Sequence, residues 1–181
     1  MRAVLHGMEY LVGEIRRGKR VDAAVFHAML YYIDTVSERV HHPSEDRFLF
    51  EALRRRSAGA EQLITELEKE HAIGEVSLRR LAQSLNRHEE GGEREFAAFE
   101  AEVKAFVRRY DDHMRKEEEQ LFPLALKMLK DADWERIDSA FEKSREPLAG
   151  HDTRDFEKLF QRIAEIAPEP VGLGARAPTI H

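Results

Sequence analysis

His113-Met114-Arg115-Lys116-Glu117-Glu118-Glu119-Gln120-Leu121-Phe122 decides the fold, because the chain carries a second copy of its pattern. That copy is His41-His42-Pro43-Ser44-Glu45-Asp46-Arg47-Phe48-Leu49-Phe50. Both read histidine, three residues, glutamate, an acid, two residues, then Leu-Phe. On a helix, positions i and i+4 share a face about one turn apart. Each copy therefore directs an imidazole and a carboxylate the same way. Two such pairs facing each other inside a helical bundle form a pocket rich in nitrogen and oxygen, the ligand set of a two-metal site.

Outward from these stretches the chain reads as helices. Val4, Leu5, Met8, Leu11, Val12 and Ile15 recur at helical spacing and predict a first helix over 2–17. Asp22 is the expected N-cap of a second helix, which runs through Val25, Met29, Tyr32 and Ile33 into His41. Pro43 removes a backbone donor, so a kink is expected there before the helix resumes through Leu53. A third helix is expected over 60–87, with Leu63, Ile64, Leu67, His71, Gly74, Leu78, Leu81 and Leu85 on one stripe. A fourth, over 93–129, carries Phe96, Phe99, Val103, Phe106, Tyr110, His113, Glu117, Leu121 and Leu124. Steps alternating between three and four residues are those of a bundle seam. Short connections make neighbouring helices antiparallel, so the fold class is all-α, an up-down-up-down four-helix bundle over 1–130. Residues 131–181 read as two short helices (133–142 and 153–166), packed over one end of the bundle in the same domain, followed by an irregular tail.

Polar residues fall where leucine is expected. His113 and Glu117 lie on the core stripe of the fourth helix, His71 on that of the third, and His6 beside Leu5 and Met8 on the first. A buried, unpaired carboxylate is strongly disfavoured and calls for a cation or a dense hydrogen-bond network. One inward histidine is usually an ordinary core residue, and one His-x-x-x-Glu is usually a surface ion pair. Two matched copies, plus an inward histidine on each remaining helix, are much harder to obtain by chance.

Composition excludes other chemistries. At 181 residues the chain suits one domain, and 35% charged residues with only ten Gly and six Pro favour a helical protein. A net charge of -6 provides no basic surface for nucleic acid. The absence of cysteine excludes disulfides, thiolate metal sites and cysteine nucleophiles. No apolar run approaches the roughly 18 residues of a membrane span, and the N-terminal residues lack a signal-peptide block, so a cytoplasmic location is expected. Phosphate loops, a Gly-x-Ser-x-Gly elbow and a His-Glu-x-x-His zinc motif are all missing. Ferritin-like carboxylate proteins also house a di-metal site in four helices, but with a Glu-x-x-His order and fewer histidines.

The stretch from His113 to Pro123 resembles the signature of the hemerythrin-like, or HHE cation-binding, family. His41-His-Pro-Ser-Glu45-Asp is similar to a form common in its bacterial members, departing at Glu51, where proline is frequent. Glu70-His71 resembles the third-helix Glu-His, and His6 falls where a first-helix histidine is expected. The resemblance covers roughly residues 2–129. It implies a non-haem di-iron centre, two iron ions with an oxo or hydroxo bridge, whose terminal ligands are His6, His41, His71 and His113. Glu45 and Glu117 would bridge the ions. His41 is preferred to His42 because it precedes Glu45 by four residues, although His42 bears the same relation to Asp46.

Oxygen-carrying hemerythrins have a fifth histidine one turn beyond the third-helix histidine, and Glu75 stands there in this chain. Either the site has four histidines and two carboxylates, or Glu75 adds an oxygen ligand. Glu9, Tyr10, Tyr32 and Tyr110 are further candidates for the metals' surroundings, against the plainer reading of solvated acids and core tyrosines. An accessible or carboxylate-enriched di-iron site favours redox turnover over simple oxygen transport. The expected partner is oxygen, nitric oxide or peroxide, in sensing, scavenging or stress response, from a monomer or homodimer. The competing readings are an iron donor and a binding module with a structural metal.

Overall fold

In a computed structural model, residues 1–145 and 153–172 are described, and they form six helices with no strand among them. The first helix, Arg2–Arg16, buries Val4, Leu5, Met8, Leu11 and Val12. The second opens at Asp22, whose carboxylate accepts from the Ala24 N–H at 2.9 Å, and runs without a break over residues 23–56. The third is Glu61–Gly91. Gly92, with φ of 65°, takes a left-handed turn open to few side chains and starts the fourth, which spans 93–128. Helices adjacent in sequence pack together, and the first also packs on the fourth, which closes the antiparallel bundle.

The irregularity expected at Pro43 takes the form of altered winding. Residues Asp34–His41 and Glu45–Phe50 wind as π-helix on either side of a short α-turn, His42–Ser44. The fourth helix does the same at Glu117–Leu121, just before Phe122-Pro123. In both helices the wider i→i+5 winding lets the chain pass a proline, which offers no N–H, without stopping. Such turns concentrate at functional positions, and here they hold Glu38, His41, Glu45 and Glu117.

Two apolar cores form. One gathers Leu5, Met8, Leu11, Phe26, Ile33, Leu81, Phe99 and Phe106. The other gathers Phe50, Leu53, Ile64, Leu67, Leu121 and Ala125. Along the third helix the sequence runs from Leu67 in one core through His71 to Leu78 in the other. The fourth runs from Tyr110 through His113 and Glu117 to Leu121. A polar layer therefore crosses the bundle between the two cores.

The two C-terminal helices, Asp131–Arg145 and Thr153–Ile166, do not both sit at one end. The former lays Trp134, Ile137 and Phe141 on the second core and is held by Arg56, which donates to both oxygens of Asp133 at 2.8 and 3.1 Å. The latter inserts Ile163 into the first core and packs along the second helix. Apolar surface left on both halves of the bundle draws one helix to each. The connection through Pro147–Gly150, the tail beyond 172, and His151 and His181 lie outside the described residues. No helix among the described residues is long and apolar enough to cross a membrane.

Candidate metal centre

The polar layer resolves into two groups of converging ligand atoms, His42 with His71 and His113, and His41 with Glu45 and Glu117. Within each, the ligand atoms lie within 4.8 Å of one another. The groups interlock: His71 Nε2 is 3.8 Å from Glu45 Oε2, His113 Nε2 is 3.1 Å from Glu117 Oε1, and His41 Nε2 is 3.5 Å from Glu45 Oε2. None of the buried atoms in these pairs is aligned for a hydrogen bond. His42 Nδ1, Glu45 Oε2, His71 Nε2, His113 Nε2 and Glu117 Oε1 are all buried without a partner. Each such orphan costs on the order of 1–3 kcal/mol, so five in one layer are an expensive arrangement unless something binds them. Ligands lying roughly 2.0–2.2 Å from a transition-metal ion stand about 3–3.5 Å apart, close to the spacings found here. The donor atoms therefore fit a cation better than they fit each other.

Outer contacts aim the rings. His71 Nδ1 donates to Asp46 Oδ1 at 2.8 Å, and His113 Nδ1 donates to Glu70 Oε2 at 3.0 Å. Both bonds leave Nε2 pointing into the layer, the way carboxylates orient metal-binding imidazoles. Lys116 in turn grips Glu70. His42 and His71 stack with ring centres 4.1 Å apart.

Electrostatics divide the carboxylates. Burial and the neighbouring Glu117 charge push Glu45 up to about 10. Burial also opposes ionisation of Glu117, but His113 and Glu45 overcome it and hold Glu117 below the ordinary range. Without a cation, the pair keeps one proton, on Glu45. Desolvation takes His41 down to about 4 and lowers His71. His113 goes the other way: burial disfavours its charge, but Glu117 and Glu70 raise it.

Of the residues expected as ligands, the structure brings His41, Glu45, His71, His113 and Glu117 close to one another. His41 and His42 are not alternatives. His42 is 5% exposed and belongs to the three-histidine group, while His41 is half-exposed beside Phe141 and reaches the carboxylates. Adjacent residues of the widened helix thus serve different groups. His6 is not brought to either group. Leu5 and Met8 turn the first helix inward, leaving His6 58% exposed opposite Asp111 at 3.5 Å. Glu9 is exposed on the same helix, and Tyr10 packs on the first core. Glu75 is exposed and pairs with Arg79. Tyr32 lies against Phe160, away from the layer, with its hydroxyl raised by burial. Tyr110 is buried with its ring 6.0 Å from that of His42, and its hydroxyl donates to Glu38. Sequence reasoning missed Glu38. Its signal was present, since Glu38 precedes His42 by four residues. The outer roles of Asp46 and Glu70 had no signal beyond their places beside ligand residues.

A cleft of about 220 Å³ between the second and third helices leads to His42 and His71, and Glu38, Asp46, Glu68 and Glu75 also line it. An antiparallel bundle with imidazoles and carboxylates converging at mid-height is, as a class, a helical cation-binding protein. The chain belongs to the hemerythrin HHE cation-binding domain family, whose model matches residues 1–125. No curated protein and no solved structure matches it. The two C-terminal helices lie beyond the matched segment.

Proposed function

We propose that this protein is a non-haem di-iron protein that binds or reacts with oxygen, nitric oxide or peroxide in sensing, scavenging or stress response. One observation carries the reading: five unpartnered nitrogen and oxygen atoms are buried together between two apolar cores. Their mixture of imidazole and carboxylate suits iron. In this reading His42, His71 and His113 hold one ion, His41 holds the other, and Glu45 and Glu117 lie between them. Two irons would supply electrons to a bound small molecule. The chain's own part is to position and shield. The cores exclude water, and the cleft beside His42 and His71 is sized for a very small ligand. Without metal Glu45 keeps a proton within the layer, and an ion bound there would displace it.

Iron handling is the second reading, favoured by the half-exposed His41, from which an ion would leave more easily. Elemental analysis of protein purified without added metal, with spectra before and after oxygen, tests the first. About two irons per chain, with near-ultraviolet bands that respond to oxygen, nitric oxide or peroxide, support it. No transition metal after anaerobic iron loading overturns it. Rapid loss of iron to a competing chelator, with no response to those molecules, favours iron handling.

A further inference from the structure

We propose that Glu38 is an additional metal ligand, completing the His42–His71–His113 group with a carboxylate that the second helix supplies. This rests on the metal-centre reading above. The Glu38 side chain is 5% exposed, and its Oε2 stands 3.4 Å from His42 Nδ1, an orphaned buried nitrogen. That spacing is too long for a good hydrogen bond and is the separation of two ligands on one ion. The Tyr110 hydroxyl donates to Glu38 Oε1, fixing the carboxylate at the layer's edge.

Gly74 gives the arrangement its room. The inward position one turn beyond His71 is Gly74, not Glu75. A Cβ there would lie 3.3 Å from Glu38 Oε1 and 3.6 Å from Oε2. The third helix thus withholds a side chain where it might have offered a ligand, and the second helix fills the space with an oxygen. The π-winding of Asp34–His41 supports this by carrying both Glu38 and His42 inward. Glu38 also lines the cleft at its inner end beside His42 and His71, so an arriving cation would meet all three.

The full chain, metal-free and then titrated with ferrous iron under anaerobic conditions, tests the assignment alongside Glu38→Gln and Gly74→Ala. Wild type is expected to bind two ions. Glu38→Gln should keep one and bind the other at least about tenfold more weakly, the lower end of what lost site contacts cost. Gly74→Ala, which removes no donor, should weaken the same ion by displacing the carboxylate. Far-ultraviolet circular dichroism of the metal-free variants should match wild type. A metal-loaded crystal structure of the wild type should place a Glu38 oxygen roughly 2.0–2.2 Å from an ion, a readout that no folding defect in a variant affects. Wild-type affinity for both ions in both variants overturns the proposal, as does a loaded structure in which Glu38 touches only Tyr110 and His42. A wild-type chain that takes up no metal overturns the centre itself.

Discussion

Replacing Glu45 by glutamine should make the metal-free protein more stable while disabling its metal site. Glu45 is 1% exposed, and its carboxyl is pushed from an ordinary 4.5 up to about 10. In the unfolded chain it ionises near 4.5; in the folded chain it stays protonated until about 10. Its contribution to stability is complete below 4.5 and declines as pH rises through that window. At pH 7 the folded state retains a proton 2.5 pH units above the unfolded value, which at about 1.36 kcal/mol per unit amounts to about 3 kcal/mol. Glutamine has nearly the same shape and carries no charge to suppress, so the gain at pH 7 should approach that figure. For a chain of this size it corresponds to a melting temperature higher by roughly 6–12 °C. Urea denaturation of both metal-free proteins at pH 4.5, 7 and 8.5 is the assay. The advantage of Glu45→Gln should vanish at pH 4.5 and grow towards 8.5. His41, lowered to about 4, stabilises above 6.5 and loses that effect as pH falls towards 4, but it does so in both proteins. Equal midpoints at pH 7, or a gain independent of pH, would refute the assignment of the buried proton to Glu45.

Iron at a hundred times its dissociation constant should add about 2.7 kcal/mol to the wild type, and a chelator should remove it; a melting temperature indifferent to both would contradict the site. Glu70→Gln removes the carboxylate that orients His113 and should lower metal affinity roughly 10–100-fold, measured by chelator competition, with the helical content retained. His6→Ala should leave the metal content unchanged by elemental analysis, since His6 faces Asp111 and solvent. Loss of an ion would mean that the first helix rotates inward on loading. Arg56→Ala frees Asp133 and loosens the helix that sets Phe141 against His41, so metal extraction by a chelator should accelerate.

The four bundle helices were legible because their apolar stripes are nearly uninterrupted: Leu67, Leu78, Phe99, Val103, Phe106 and Leu121 are all buried as their spacing required. His71, His113 and Glu117 were legible for the same reason, as polar members of those stripes. The second helix was harder. Spacing at 3.6 residues per turn assigns inward positions only while a helix stays α, and the π-segments around Pro43 reset the count. His41 and His42 therefore looked like rivals, and Glu38 fell outside the pattern. His6 misled in the opposite way. It sits next to Leu5, but a step of one residue turns far around a helix, and Leu5 with Met8 takes the inward face. Where the two short helices dock depended on which apolar surface the bundle left uncovered, information no local pattern contains.

The layer between the two cores also has a mechanical meaning. Cohesion across most bundles is continuous and apolar, whereas here a band of ionisable groups separates two apolar blocks, bridged by the rings of His71 and His42 between Phe50 and Tyr110. A bound cation would act as a rivet through that band. Without it, the smaller block around Phe50, Ile64 and Leu121 is free to open below the free energy of global unfolding. Its amides should exchange with solvent earlier than those around Phe26 and Phe106, and metal should bring the two rates together.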